Sequence, residues 1–286
     1  MRRSAATLFA AIIAVVPAVT SLAHEFWIQP SSFSPARGSS IGVQLRVGDG
    51  FPGESRPRDP NKLVRLFVKG PQGEHDIPGQ PGDEPAGQLA CKEPGVYVVG
   101  YRSKQTLLTL EAEKFEEYLK EEGLDIIIEA RAKVGESQLA GREHYSRASK
   151  CLVRVAGEAA KSSPTFEQML GFPAEITPQG TDPTMATVGQ ELAFVVTHNN
   201  LPAPNVVVMF FSKNDPSHRA PTRTDDKGVV RFTPDQPGMW MLGNVMMQRA
   251  AKDSGSEWDS VWASLTFEVA PAPTSKPTTQ ADENSK

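Results

Sequence analysis

The dipeptide Ala23-His24 carries the most pointed chemistry in this chain. A cut after Ala23 leaves a mature protein that begins with a histidine bearing a free α-amine. The amine and the imidazole Nδ1 of that one residue can close a chelate ring on a divalent transition metal, a donor type that suits Cu, Ni or Zn. The histidines are His24, His75, His144, His198 and His218, and none forms a His-x-His or His-x3-His pair. Any second protein ligand must therefore be brought in by the fold. His144 is the first partner to consider. In an immunoglobulin-like sandwich the first strand often runs parallel to the last strand of its module. His24 and His144 each stand at or just before such a strand, so their imidazoles would converge at one end, with Glu25 or Glu143 adding an oxygen. His75, in Gly73-Glu74-His75-Asp76, reads as a solvated turn residue, and His198 and His218 also read as turn residues. Met246-Met247 has the softness for Cu(I), but strand alternation favours core packing.

Other chemistry is thin. The chain lacks a His-Glu-x-x-His pair and a phosphate loop, and no enzyme is expected. A copper monooxygenase with a histidine brace would need a second ligand histidine and a substrate surface, which the sequence does not supply. The carboxylates from Glu111 to Glu122 alternate with lysines and read as a solvated helix face. Trp258 and Trp262 read as sandwich core or rim.

The elements that must position these groups are mostly strands. Ile41, Val43, Leu45 and Val47 alternate with polar residues and predict a half-buried strand. Leu63–Lys69, Val96–Tyr101, Arg147–Val155, Leu192–Val196, Val206–Phe211 and Trp262–Val269 predict others. Residues 48–61 and 71–88 read as loops, and Thr224–Gly228 reads as a hairpin turn before Val230 and Phe232. Between the strands the period changes. Phe115, Tyr118 and Leu119 lie three and four apart, and Gly123 follows at a natural helix end. A short helix is expected there and a second over Leu124–Lys133.

Composition agrees: 24 prolines and 23 glycines in 286 residues, with 7% aromatics, favour many short elements joined by turns. The fold class expected is mainly β, with two immunoglobulin-like β-sandwich modules and a short helical insertion in the first. Residues 1–23 form the expected signal peptide, 24–155 the first module with its insertion at about 110–134, and 156–164 a linker. Residues 165–269 form the second module and 270–286 a disordered tail. Pro94-Gly95-Val96-Tyr97-Val98-Val99-Gly100 and Pro237-Gly238-Met239-Trp240-Met241-Leu242-Gly243 match in spacing and aromatic placement, which points to a duplicated module.

The leader reading rests on Arg2 and Arg3, an apolar run from Ala5 to Val16, and small residues before the cut. That run falls short of the ~20 residues needed to span a bilayer, so no membrane span is expected after cleavage. The expected location is periplasmic or secreted. The net charge is −4 and loses two positive charges with the leader, so nucleic acid is not an expected partner. Cys91 and Cys151 suit an oxidising compartment. They are read either as a disulfide closing a loop of about 60 residues, which stabilises by about 4 kcal/mol less any strain, or as two buried thiols.

Four ordered blocks carry a family likeness: His24-Glu25-Phe26-Trp27-Ile28-Gln29-Pro30 after the leader, Phe115 to Leu124, Arg142-Glu143-His144-Tyr145-Ser146-Arg147 with Lys150, and Trp258 to Phe267. Together they resemble an exported bacterial family of unassigned function whose members are often labelled nickel or cobalt uptake-related periplasmic proteins. The resemblance implies immunoglobulin-like modules, a histidine at the processed N-terminus that maps to His24, and a hallmark block of Glu143, Tyr145, Ser146, Arg147 and Lys150. Val245-Met246-Met247 follows Trp240 where the family pattern would place a histidine, and Ala148 and Cys151 also depart from it. The expected function is exported, non-enzymatic binding of Ni, Co or Cu for uptake or delivery, with a membrane transporter or other envelope protein as partner. The alternative is a structural adaptor that binds a protein or polysaccharide.

Overall fold

The computed structural model describes residues 24–158 and 165–273. The expected signal peptide, most of the linker and most of the tail lie outside these residues. The fold is mainly β, as expected. Its first outer sheet contains β1 (Glu25–Pro30), β2 (Ser39–Gly48), β3 (Glu54–Arg56) and β6 (Gly87–Cys91). A nine-stranded sheet contains β4 (Leu63–Gly70), β5 (Gly73–Asp76), β7 (Gly95–Ser103), β8 (Thr106–Leu110), β9 (Gly141–Val155), β13 (Val207–Ser212), β14 (Arg219–Arg223), β16 (Gly238–Arg249) and β17 (Trp258–Val269). The second outer sheet contains β10 (Ala174–Gln179), β11 (Leu192–His198), β12 (Leu201–Pro202) and β15 (Val229–Phe232).

The order β14-β13-β16-β17-β9-β7-β4-β5 reads alike from both ends. Each first-half strand in that order has a counterpart in the second half: β4 and β5 match β13 and β14, while β7 and β9 match β16 and β17, and β8, which pairs with β9 off that path, has none. The outer sheets match as well, β1-β2-β3 with β6 against β10-β11-β12 with β15. The two Pro-Gly segments open β7 and β16, so the short sequence likeness marks a duplicated topology. β9 and β17 pair in parallel over Glu143–Cys151 and Trp258–Thr266. A rotation about that seam keeps strand direction and exchanges the faces, which is why the two outer sheets cover opposite faces.

Strand alternation builds both cores from the shared sheet. Tyr97, Val99, Cys151, Val153, Met209, Phe211 and Met241 join Trp27, Ile28 and Val43 in one core. Their neighbours Val96, Val98, Leu152, Val208, Phe210 and Leu242 join Ile176, Phe194 and Val196 in the other. The central strands of the nine-stranded sheet thus form a middle layer buried on both faces, and they read as near-continuous apolar runs.

Two topological expectations are corrected. β1 pairs antiparallel with β2 in the outer sheet and lies face-on over the seam, with the Phe26 carbonyl accepting from Ser149 Oγ at 3.2 Å and Ser264 Oγ at 2.7 Å. The parallel neighbour of β9 is β17, not β1. The Asp225 turn does form, its carboxylate accepting from the amides of Lys227 and Val229, but it joins β14 and β15, which belong to different sheets.

The helical insertion stands where the change of period placed it, as α1 (Ala112–Glu121) and α2 (Asp125–Lys133). Phe115, Tyr118 and Leu119 are buried against β8, β16 and β17, with Tyr118 stacked on Trp262 at 5.7 Å. Gly123 turns the chain at φ +67°, where a Cβ would stand 2.3 Å from Val207. Arg131 is buried and ties the insertion together by donating to Glu116 Oε1 and to the carbonyls of Glu136 and Leu139. A Cβ on Gly141 would lie 2.3 Å from ring atoms of buried Phe115. Gly141→Ala is therefore expected to cost about 1–3 kcal/mol by overpacking, read from the midpoint of a urea titration. An unchanged midpoint would show that the ring moves aside freely.

Candidate functional site

One cleft of about 700 Å³ opens beside the start of β1. The β1–β2 register builds its first wall. Glu25 stands opposite Gly48, so the preceding His24 meets Asp49, and His24 Nδ1 lies 2.5 Å from Asp49 Oδ1. The His24 side chain is 27% exposed and Asp49 is 66% exposed, which leaves the pair open to solvent. Gly53 makes the loop possible: its φ is +58°, and a Cβ there would stand 2.3 Å from the Trp27 ring.

The opposite wall comes from β7 and β9. Tyr145 and Arg147 are alternate residues of β9 and both line the cleft, with Phe26 and Tyr101 beside them. The Arg147 guanidinium carbon lies 4.9 Å from the Phe26 ring centre and 5.5 Å from that of Tyr145. Phe26 and Tyr101 are 4.6 Å apart. The Arg147 backbone amide donates to Ser103 Oγ at 2.8 Å, which fixes this part of the strand. Burial pulls the Arg147 guanidinium below its ordinary pKa, with the charges of Tyr145, Tyr101 and Glu25 opposing.

Acidic groups lie behind the wall. Glu25 is buried against β16, so close that a Cβ on Gly243 would come within 2.8 Å of its Oε2. Burial raises its pKa, and Arg219 and Arg147 oppose the shift. Glu122, at the end of α1, is also raised by burial and next by the charge of Glu25, with Arg219 Nη2 at 3.7 Å from its Oε1 opposing. Each carboxyl favours a proton on the other.

The remaining expected ligands do not converge on His24. His144 lies on the other face of β9 from Tyr145 and Arg147, and its Nδ1 is 2.8 Å from Ser256 Oγ. The expected three-nitrogen clasp fails because β1 is not the parallel neighbour of β9. Glu143 is buried under α1 and accepts from Tyr118 Oη at 3.2 Å. Among the described residues no three His, Cys, Asp or Glu side chains cluster to hold a metal. Cys91 and Cys151 are buried and unbridged, so the disulfide expectation gives way to that of two thiols. Cys91 Sγ lies 3.8 Å from the Leu89 carbonyl oxygen. Burial pushes the Cys91 thiol up to about 11 and the Cys151 thiol to about 12.

Away from the cleft, His75 is exposed on β5, and His218 packs edge-on against Trp240 at 5.0 Å. Met247 is buried under the insertion, and Met246 packs against the second core. Trp258 and Trp262 are core residues. Sequence reasoning missed Asp49. Its only signal was its place in Gly48-Asp49-Gly50, immediately after a strand whose register with β1 was unknown.

Fold and cleft define a mainly β chain with a duplicated topology and an open cleft edged by charged and aromatic side chains. Residues 21–248 match the model of a domain of unknown function (DUF4198), and the chain belongs to that family. No curated protein matches it. Among solved structures it is similar to a tetra-tandem repeat in the extending region of a large adhesion protein, at 11% identity and TM-score 0.22, covering 86% of this chain and 49% of that one. The chain therefore spans about half the length of that structure. The D0-D1 domain of intimin matches at 14% identity and TM-score 0.20, covering 85% and 97%. Three N-terminal domains of the outer capsid protein Hoc of bacteriophage RB49 match at 11% identity and TM-score 0.21, covering 87% and 59%. Overlaps this loose carry no information on ligand or partner.

Proposed function

We propose that this chain is an exported, non-enzymatic protein that binds a divalent transition metal at a processed His24 and serves nickel or cobalt uptake or delivery. The observation that carries the reading is the 2.5 Å approach of Asp49 Oδ1 to His24 Nδ1 at the mouth of the cleft. In a chain cut after Ala23, the α-amine and Nδ1 form one chelate arm and Asp49 supplies a carboxylate oxygen, a nitrogen-rich set suited to Ni or Cu. The donors fit with a small adjustment. Ligand distances of about 2.0–2.2 Å for a first-row ion such as zinc require Nδ1 and Oδ1 to part by roughly half an ångström or more, and the exposed Asp49 carboxylate has room to move. Glu25, Glu143 and His144 take no part. An open site at a cleft mouth suits hand-over to a membrane transporter or another envelope protein. No helix among the described residues is long and apolar enough to cross a membrane.

The experiment is a calorimetric titration with Ni(II) and Cu(II) of protein beginning at His24, beside the same protein with Ala23 retained. One metal per chain is expected for the first, and an affinity at least tenfold lower for the second, because acylating the α-amine removes one arm of the chelate. Equal affinity for both would remove the amine from the site and, with it, the proposal.

A further inference from the structure

We infer that the cleft is a receptor for a small organic monocarboxylate with an apolar body, held by Arg147. This binding does not depend on metal at His24.

The reason lies in how the chain treats its other enclosed cations. Lys150 donates to Glu175 at 2.7 Å, Arg131 to Glu116 at 2.8 Å, and Arg154 pairs with Asp182. That is the rule for cations withdrawn from water, because an unpaired one forfeits its hydration without compensation. Arg147 breaks the rule, as does Arg46, whose Nε is also buried without a hydrogen-bond partner, but of the two only Arg147 lines the cleft. Its Nε is buried with no hydrogen-bond partner, and among the described residues no carboxylate stands within ion-pair distance of its guanidinium. Glu25 acts on it only through space. The group is nonetheless held in place, flanked by the Phe26 and Tyr145 rings and anchored through its own backbone amide to Ser103. A planar donor fork fixed beside an open cleft, with its hydrogen bonds unmade, is arranged to receive a planar acceptor. A carboxylate accepts from such a fork in two parallel bonds.

The rest of the wall selects the kind of anion. Arg56 is already paired with Glu54 at 3.0 Å. Asp49, Glu54 and Asp59 edge the same cleft and disfavour a multiply charged ligand. Only Lys62 adds a further cation to the lining without an ion pair among the described residues. Phe26, Tyr101 and Tyr145 supply apolar and aromatic surface for the remainder of the molecule. The volume of about 700 Å³ falls within the range of sites that hold small molecules. The fit is therefore to one carboxylate on a flat or apolar body.

The test is calorimetric titration of the full mature protein with benzoate, with benzamide and inorganic phosphate as probes that lack the charge or the shape. Benzoate is expected to bind at one site. Benzamide and phosphate are expected to bind about tenfold more weakly or worse, as the loss of a charge-assisted hydrogen bond implies. Arg147→Gln should lower benzoate affinity about 10–100-fold and Arg147→Lys by less. The wild-type comparison of benzoate with benzamide stands even if the Gln variant folds poorly. Benzamide binding as well as benzoate, phosphate binding as well as benzoate, no benzoate binding at millimolar concentration, or unchanged benzoate affinity in a folded Arg147→Gln protein would each overturn the assignment. His24→Ala should leave benzoate binding intact, and Arg147→Gln should leave nickel binding intact, so the two sites can fail separately.

Discussion

Glu175→Ala is expected to destabilise the protein by about 3–5 kcal/mol, the cost of leaving a buried partner charge uncompensated. Glu175 lies wholly out of solvent on β10. Its carboxylate accepts from Lys150 Nζ at 2.7 Å and from the amides of Leu170, Gly171 and Phe172 at 2.7, 3.0 and 3.2 Å. Truncation strands the ammonium and frees three backbone donors together. It also releases the segment that brings Phe172 edge-on to Phe67 at 6.0 Å. Lys150→Met is expected to cost less, because Glu175 keeps its three amide donors. Urea unfolding of both variants checks the order. The thermal midpoint of Glu175→Ala should fall by roughly 10 °C, at 2–4 °C per kcal/mol for a chain of this size. Equal losses in the two variants would show that the amide cradle contributes nothing.

The second large effect concerns pH. Glu143 is fully buried beneath Tyr118, and burial lifts its carboxyl from 4.5 to about 7, with the hydrogen bond from Tyr118 opposing. The folded state therefore holds this proton more tightly than the unfolded chain does. The resulting stability is fully present below pH 4.5 and is lost as pH rises through about 7. The loss is on the order of 3 kcal/mol. Glu143→Gln keeps the shape and an acceptor for Tyr118 but has nothing to ionise. It should match the wild type near pH 4.5 and exceed it by on the order of 3 kcal/mol at pH 8. Glu25 and Glu122 are shifted in the same direction, so the variant keeps a shallower fall of stability with pH. Urea titrations at both pH values decide the matter, and parallel curves for variant and wild type would rule out a protonated Glu143.

The strands legible in the sequence are those whose two faces differ or are both buried. β2 alternates because one face is core, and β4, β7 and β13 are apolar runs because the middle sheet is covered on both sides. β5 and β14 are solvent-facing edges of sequence Gly-Glu-His-Asp and Arg-Ala-Pro-Thr-Arg, with no apolar face to betray them. β10 hid for the opposite reason: its buried Glu175 and Thr177 are there to satisfy Lys150. The Pro-Gly repeat was legible because each copy opens the strand beside the seam. The parallel pairing of β9 with β17 was not, since nothing local encodes a partner more than a hundred residues away. That missing fact decided the site. It turned His144 away from His24, and the unread β1–β2 register brought Asp49 to it instead. Tyr145 and Arg147 were noticed only as part of a family-like block, and their common role appears once alternation places both on the cleft side of β9.

A metal held between the processed N-terminus and Asp49 would be seen by anomalous diffraction at the nickel edge from crystals of protein beginning at His24. A single strong peak is expected between His24 Nδ1, its α-amine and Asp49 Oδ1, about 2.0–2.2 Å from each, and no such peak in Asp49→Asn crystals treated alike. A strongest peak at His144 or His75, or none at His24, would contradict it.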